Sequence, residues 1–395
     1  MTLVLDDDDR YSRFQLISWW DQARLSQARV MVVGAGALGN EVLKNLALVG
    51  VGTIVVVDCD QIEASNLTRS VLFRRRDCGR AKATVAAESL ADLNPDVRAI
   101  PIVGNVITAV GLGLFRAMDV VIGCLDNREA RLWVNRACWR VGRPWVDGGI
   151  QEISGVVKVF VPEQGPCYEC AMTENDYRLI NLRYSCPLLP REEILAGKVP
   201  TAPTIASVIA GWQAQEALKI LHGMPVEPGT AMVFNGAANN FYKTRLPWRD
   251  DCLSHERFDA PRTTELGCGD PASSLFRSIR AAEELRSAEP LTLALERDLV
   301  ESVHCERCAR DVCVLRPAFE VASRLARCET CGEPSRPKIT HLVAESSPLA
   351  ERTLAELGVA PFDLVRVRGA DREFVLELTA DRQTVWPGEK ARATP

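Results

Sequence analysis

The chain has 395 residues, 47% hydrophobic and 25% charged, which is enough apolar material for one large core and a smaller second domain. A formal net charge of -5 provides no broad cationic field for a phosphate backbone, so nucleic acid is not an expected partner. The acidic opening MTLVLDDDDR lacks the basic-then-apolar order of a secretory signal, and the richest apolar pattern, Pro203 to Leu221, is interrupted by Gln213, Gln215 and Glu216. A cytoplasmic chain with no membrane span is therefore expected.

From Arg29 to Asp147, β-branched runs alternate with helical patterns: RVMVV, a helix from Leu38, TIVVVD, a helix from Gly79, VRAIPIV, DVVIGCLD, a helix from Arg128, and RPWVD. Such alternation predicts a parallel sheet with crossover helices. The segments IQEISGVVKVFV, TAMVFNG and NFYKTRL then read as antiparallel strands flanking a long helix over Pro203 to Leu221, which makes the sheet mixed. Between Leu246 and Ser274 the composition turns to Pro, Asp, Arg and Gly, the chemistry of a linker. The expected fold is α/β: a Rossmann-like doubly wound sheet, mostly parallel with antiparallel additions, over residues 1–258. A linker and helix (SLFRSIRAAEEL) follow over 259–300, and a small α+β domain containing a zinc ribbon fills 301–395. In that last part a helix is expected near Leu349 to Leu357, with strands at DLVRVR and EFVLEL.

Gly34, Gly36 and Gly39 stand in G-x-G-x-x-G spacing between a strand and a helix, so that backbone amides can approach phosphate at the helix N-terminus. Asp58, at the end of the next strand, can accept hydrogen bonds from ribose hydroxyls. On these residues alone NAD fits as well as ATP. The discriminating stretch is VVVDCDQIEASNLTRSVLFRRRDCGRAKA, which sets Asp58, Asp60, Asn66, Arg69, Asp77, Gly79 and Lys82 in a row that no dehydrogenase requires.

This pattern, D-x-D-x5-N-L-x-R and then D-x-G-x-x-K-A, resembles the signature of the ThiF/MoeB and ubiquitin-activating enzymes, and the resemblance covers roughly residues 10 to 255. It implies ATP-dependent adenylation of the C-terminal carboxylate of a ubiquitin-like protein, with Asn66, Arg69 and Lys82 contacting the triphosphate. Adenylation concentrates negative charge on the α-phosphate, and fixed cations and polar donors suit it. DVVIGCLDNREARLWVNRAC is similar to the family's C-x-D-N-x3-R-x3-N segment. There Asp126, at the carboxyl end of a strand, is expected to hold Mg2+ against the phosphates, with Asn127 beside it. Arg131 and Asn135 read either as completing the pocket or as helix surface. RYSRFQLISWW resembles the family's R-Y-x-R-Q opening, with Phe14 in place of the glutamine. The resemblance makes Arg13 an arginine reaching into a partner subunit's ATP site, and so implies a homodimer.

Six of the fourteen cysteines fall in three C-x2-C pairs, which points to metal and thiol chemistry rather than disulfides. Cys167 and Cys170, with Cys252 and His255, match the family's structural zinc position, His255 replacing its final cysteine. Cys305-x2-Cys308 and Cys328-x2-Cys331, nineteen residues apart, have zinc-ribbon spacing, with His304 and Cys313 nearby as alternative ligands. Cys186 stands apart in a Pro-rich stretch ahead of the helix ending in Q-A-x-E-A-L-K at Gln213 to Lys219. The resemblance implies that it takes the acyl group as a thioester for a conjugating enzyme, with Arg183 or Arg191 stabilising its thiolate. Rival readings are a sulfur-carrier adenylyltransferase leading to a thiocarboxylate, an inactive scaffold subunit of an activating heterodimer, and an NAD-dependent oxidoreductase.

Overall fold

The computed structural model describes residues 9–178, 201–283, 290–321, 325 and 327–387. Cys186, within 179–200, lies outside the described residues. Two compact units form: the first holds most of the chain up to Arg257, and the second holds the chain from Phe258 together with Thr108–Leu114.

The first unit is an eight-stranded sheet in the order β3-β2-β1-β4-β5-β6-β7-β8. Strands β1 (Arg29–Val33), β2 (Thr53–Asp58), β3 (Arg98–Val103), β4 (Val120–Gly123) and β5 (Trp145–Gln151) are parallel. Strands β6 (Ser154–Phe160), β7 (Thr230–Asn235) and β8 (Asn240–Arg245) extend the sheet antiparallel. Every residue of β1 and β4 is buried, as befits central strands covered on both faces. Pro101 is accommodated because β3 is an edge strand, where a missing donor costs no ladder bond. The mixed, mostly parallel sheet read from the sequence is the one observed.

Helices α1 (Gln22–Gln27), α2 (Ala37–Leu48), α3 (Lys82–Leu93), α4 (Val106–Ala109), α5 (Leu112–Ala117), α6 (Arg128–Val141) and α7 (Pro203–His222) join these strands. Two have ends set by local chemistry. Helix α6 begins at the Asn127 side chain, which accepts from the Ala130 amide at 2.8 Å, and stops at left-handed Gly142. Helix α7 opens with Pro203 in its first turn and stops at left-handed Gly223. Midway along α7 the fully buried Gln213 donates to the Gly123 carbonyl at 2.9 Å and the Val146 carbonyl at 3.3 Å. No described helix is long and apolar enough to cross a membrane.

The second unit has its own sheet, in the order β11-β10-β13-β14-β9 with β12 also paired to β10. Its strands are β9 (Arg262–Thr264), β10 (Thr292–Cys305), β11 (Arg310–Pro317), β12 (Arg336–Ala344), β13 (Leu364–Arg368) and β14 (Glu373–Leu378). Helix α8 (Ala272–Glu283) contributes Leu275, Phe276 and Ile279 to a core with Leu293, Val367 and Leu376. The fourteen-residue β10 runs across residue 300. The helix expected near Leu349 to Leu357 is instead a 3-10 turn over Pro348–Glu351, continued by separate turns. Thr353, whose hydroxyl bonds the Glu356 carboxylate and amide, competes there with helical bonding.

Gln213→Leu removes a side-chain donor to two buried strand carbonyls. It is expected to cost about 1–3 kcal/mol in urea-unfolding stability without loss of the α/β far-ultraviolet spectrum.

Candidate functional site: a phosphate loop at the switch point and two cysteine clusters

The sheet order reverses between β1 and β4, and open α/β sheets bind ligands in the crevice outside the strand ends at such a point. Gly34 follows β1 there with φ +97°, and a Cβ on it would lie 2.3 Å from the Cys124 carbonyl oxygen at the end of β4. A Cβ on Gly39 would lie 1.9 Å from the Gly34 carbonyl oxygen. These two positions therefore require glycine, one for its backbone angle and both for close approach. Gly36 precedes the first residue of α2 and meets no such obstacle, so the loop leads into the positive end of that helix.

Asp58 braces this loop. Its carboxylate accepts from the Ala35 amide at 2.7 Å and the Asp60 amide at 2.8 Å. Burial pushes its pKa up, although these amides and Lys82 work in the opposite direction. Lys82, buried at the start of α3, extends its ammonium to Asp60 at 2.8 Å. Burial opposes the charge on Lys82, but the bond to Asp60 and the field of Asp58, Asp60 and Asp126 outweigh it and raise its pKa. The fold thus brings together Asp58, Asp60, Lys82 and Asp126, residues spread over nearly seventy positions of sequence. Asp126 is exposed at the mouth, and the Asn127 amide reaches its carboxylate at 3.2 Å. One cation facing three carboxylates can receive phosphate oxygens, and the surplus acid suits a divalent ion.

Asn66 and Arg69 sit half-buried on the loop after β2, with recorded bonds that are local: Asn66 accepts from the Glu63 amide at 2.9 Å and Arg69 donates to the Ser65 carbonyl at 2.8 Å. Arg13 is exposed on a 3-10 turn over Ser12–Leu16. The turn is anchored by Tyr11, whose hydroxyl accepts from Asn94 at 2.7 Å and lies where a Cβ on Gly50 would stand. Of the two residues left open between pocket and helix surface, Arg131 is half-buried beneath the β4–α6 loop, its side chain 15% exposed. Asn135 faces the first cysteine cluster, donating to Ser254 at 2.8 Å and accepting from the Tyr168 amide at 2.9 Å.

The ligand atoms of Cys167, Cys170, Cys252 and His255 all lie within 4.8 Å of one another. The Cys167 sulfur is 3.7 Å from that of Cys170 and 3.5 Å from that of Cys252, and the Cys170 sulfur is 3.3 Å from His255 Nε2. Tetrahedral zinc with bonds of about 2.3 Å to sulfur needs sulfurs roughly 3.8 Å apart, so this donor set fits zinc. A hydrogen bond from Cys167 brings Cys170 down to about 5 and raises Cys167, leaving one thiolate ready for metal. The cluster is built onto one side of α6. Arg136 donates to the fully buried Glu169 at 2.6 and 3.1 Å, Trp139 stacks on His255 at 4.2 Å, and Arg140 pairs with Glu256 at 3.0 Å. Glu169 is missed by a reading that looks only for ligands; its signal is an acid placed between two paired cysteines.

Cys305, Cys308, Cys328 and Cys331 form the second set, with Cys305 3.5 Å from Cys331 and Cys308 4.0 Å from Cys328. The amides of Thr330 and Cys331 bring Cys328 down to about 6. His304 instead pairs with Asp311 at 3.0 Å, and neither it nor exposed Cys313 joins the cluster. Burial, aided by Asp60 and Asp381 respectively, pushes Cys59 and Cys268 up to about 11, and burial raises Cys124 and Cys138. These four thiols are poor nucleophiles at neutral pH.

A glycine loop at a switch point, with a lysine and three carboxylates at its mouth, defines a nucleotide-binding α/β protein. The chain belongs to the ThiF family, whose profile matches residues 9–254. It is 34% identical over 291 residues to the Sus scrofa protein named adenylyltransferase and sulfurtransferase MOCS3, covering 70% of this chain and 60% of that protein. It is 35% identical over 232 residues to the sulfur carrier protein adenylyltransferase of Thermus thermophilus, covering 57% of this chain and 81% of that one. Among solved structures, E. coli MccB with ATP superposes with a TM-score of 0.52 at 26% identity, covering 63% of this chain and 74% of that chain. The chain thus spans less than two thirds of the length of the Sus scrofa relative.

Two zinc ions per chain are expected by elemental analysis of protein purified without chelator. Cys170→Ala should reduce the count to one and lower the thermal midpoint, because structural zinc ligation is coupled to folding.

Proposed function

We propose that the chain uses ATP to adenylate the C-terminal carboxylate of a small ubiquitin-like protein. The observation that carries this reading is the meeting of Lys82 with Asp58, Asp60 and Asp126 beside the Gly34–Gly39 loop, in a chain of the ThiF family. The chain up to about residue 258 forms the adenylation domain, and the unit beyond it, which includes β9, α8 and β10, forms an accessory domain folded around the second zinc. The protein works in the cytoplasm as a homodimer, and the names of its relatives support a carrier protein as substrate.

In this reading a carboxylate oxygen of the carrier attacks the α-phosphorus, the bond to the bridging oxygen breaks, and pyrophosphate leaves. The amides of Gly36 and Gly39, at the start of α2, face the phosphates, while Gly34, whose own amide donates to the Val57 carbonyl at 2.8 Å, lets the loop pass close to β4. Lys82 moves its ammonium from Asp60 onto phosphate oxygens, while Asn66 and Arg69 supply further donors and Arg13 of the second subunit adds a charge in trans. Asp126 would hold the Mg2+ ion that accompanies ATP, which would supply charge neutralisation for the pyrophosphate leaving group. Cys186 then attacks the acyl carbon, releases AMP and holds the carrier as a thioester for a conjugating enzyme. A second reading is favoured by the words sulfurtransferase and sulfur carrier in the relatives' names: the adenylate is converted to a thiocarboxylate. Mass spectrometry of the carrier after turnover distinguishes the two.

Asp126→Ala is expected to reduce carrier-dependent ATP–pyrophosphate exchange at least 100-fold, on the order of other losses of charge-stabilising groups, while the thermal midpoint stays near that of the unmutated chain. Near-normal exchange contradicts the assignment. Cys186→Ala should keep exchange and lose the carrier adduct that collapses with reductant on a gel. A reducible adduct that survives the substitution assigns the acyl group to another cysteine.

A further inference from the structure

Asp126 is exposed on the loop between β4 and α6, and its proposed task requires a fixed carboxylate. The group holding that loop is Arg131, one turn into α6. Its guanidinium donates to the Leu125 carbonyl, to the Gly148 carbonyl at 2.9 Å, and through Nε to the Asp147 carboxylate at 2.9 Å. Asp147 is buried on β5 and receives Lys158 at 3.7 Å as well, so the guanidinium is neutralised where it sits. Burial opposes the charge on Arg131, and Asp147, Tyr168 and Asp126 together outweigh it.

The Leu125 carbonyl belongs to the peptide unit that enters Asp126. A donor fixed on that oxygen fixes the plane of the unit, and with it the direction in which the Asp126 side chain leaves the backbone. From the other side, the Asn127 amide touches the Asp126 carboxylate while its oxygen caps α6. Resting on the nucleotide reading above, we propose that Arg131 is a positioning residue: it aims Asp126 at the divalent ion accompanying ATP and does not itself touch the nucleotide. The planar fork matters here, because it reaches two carbonyls and a carboxylate at once, which a lysine ammonium on a flexible stem cannot do in the same geometry.

Arg131→Lys keeps a cation beside Asp147 but gives up the fork, so it separates aim from charge. The experiment is calorimetric titration of the full-length protein with ATP, once with Mn2+ and once with EDTA. The unmutated protein should bind ATP more tightly with Mn2+. In Arg131→Lys the affinity in EDTA should stay within about twofold, while the gain from Mn2+ falls by roughly ten- to a hundredfold, the usual consequence of losing a group that orients a metal ligand. Asp147→Asn, which leaves the guanidinium and both carbonyl contacts in place, should melt at lower temperature yet retain most of the Mn2+ gain. A full Mn2+ gain in Arg131→Lys overturns the proposal, as does an equal loss of affinity with and without Mn2+, which is the mark of a merely structural arginine. Loss of the gain in Asp147→Asn also overturns it, by assigning the effect to the charge pair. If Arg131→Lys does not fold, the Asp147→Asn result decides. Failure of the unmutated protein to bind ATP under either condition contradicts the nucleotide reading itself and removes this inference with it.

Discussion

The close approach of the Gly34 loop to the end of β4 is the constraint on which the rest of the first unit depends. Because no side chain intervenes between Gly34 and the Cys124 carbonyl, the loop after β1 and the loop after β4 share one crevice. Amides prepared for phosphate and the acid Asp126 therefore open onto the same space. The β2 end completes the arrangement, since Asp58 takes the Ala35 amide and the segment beyond it presents Asp60 to Lys82. Three strand ends and three helix starts converge because the order β2-β1-β4 leaves them adjacent. The chemistry follows from topology, with the individual side chains tuning it.

Helix α6 carries this order to the first metal cluster. Its N-terminal cap and Arg131 hold the Asp126 loop, and Asn135, Arg136, Trp139 and Arg140, one and two turns later, seize the segments bearing Cys167, Cys170, Cys252 and His255. A metal at that cluster would close a long chain loop and fix the far end of the helix whose near end presents the acid. Replacing the family's last cysteine by His255 also has a packing consequence: the imidazole stacks with Trp139 at 4.2 Å and Trp248 at 4.4 Å, contacts that a cysteine side chain could not make. The cysteine–histidine cluster is thereby tied into the fold by aromatic packing.

What could be read from the sequence was what short range encodes. Alternating β-branched runs gave the parallel strands, and the cysteine pairs, with Cys252 and His255 supplied by the family resemblance, gave the residues that the fold gathers into two clusters. Contacts joining distant segments were not legible. Nothing local in RLWVN says that Arg131 reaches under its own N-terminal loop to β5, or that Asn135 turns toward cysteines thirty residues on. Gln213 looked like an interruption of an apolar helix, whereas it is a buried donor to two strand carbonyls. In the second unit the charged run LERDLVES hid the longest strand, because its solvent-facing positions and a shift of pairing register between Val300 and Ser302 break strict alternation.

The central claim is that the switch-point crevice is an ATP site in which a lysine and three carboxylates replace the requirements of a dinucleotide. It is tested most directly by titrating the full-length protein with ATP and with NAD under identical conditions and following the thermal midpoint. ATP with Mg2+ should raise the midpoint in proportion to the logarithm of its concentration once binding saturates, as linkage requires, and NAD should leave it unchanged. A rise with NAD and none with ATP would contradict the account.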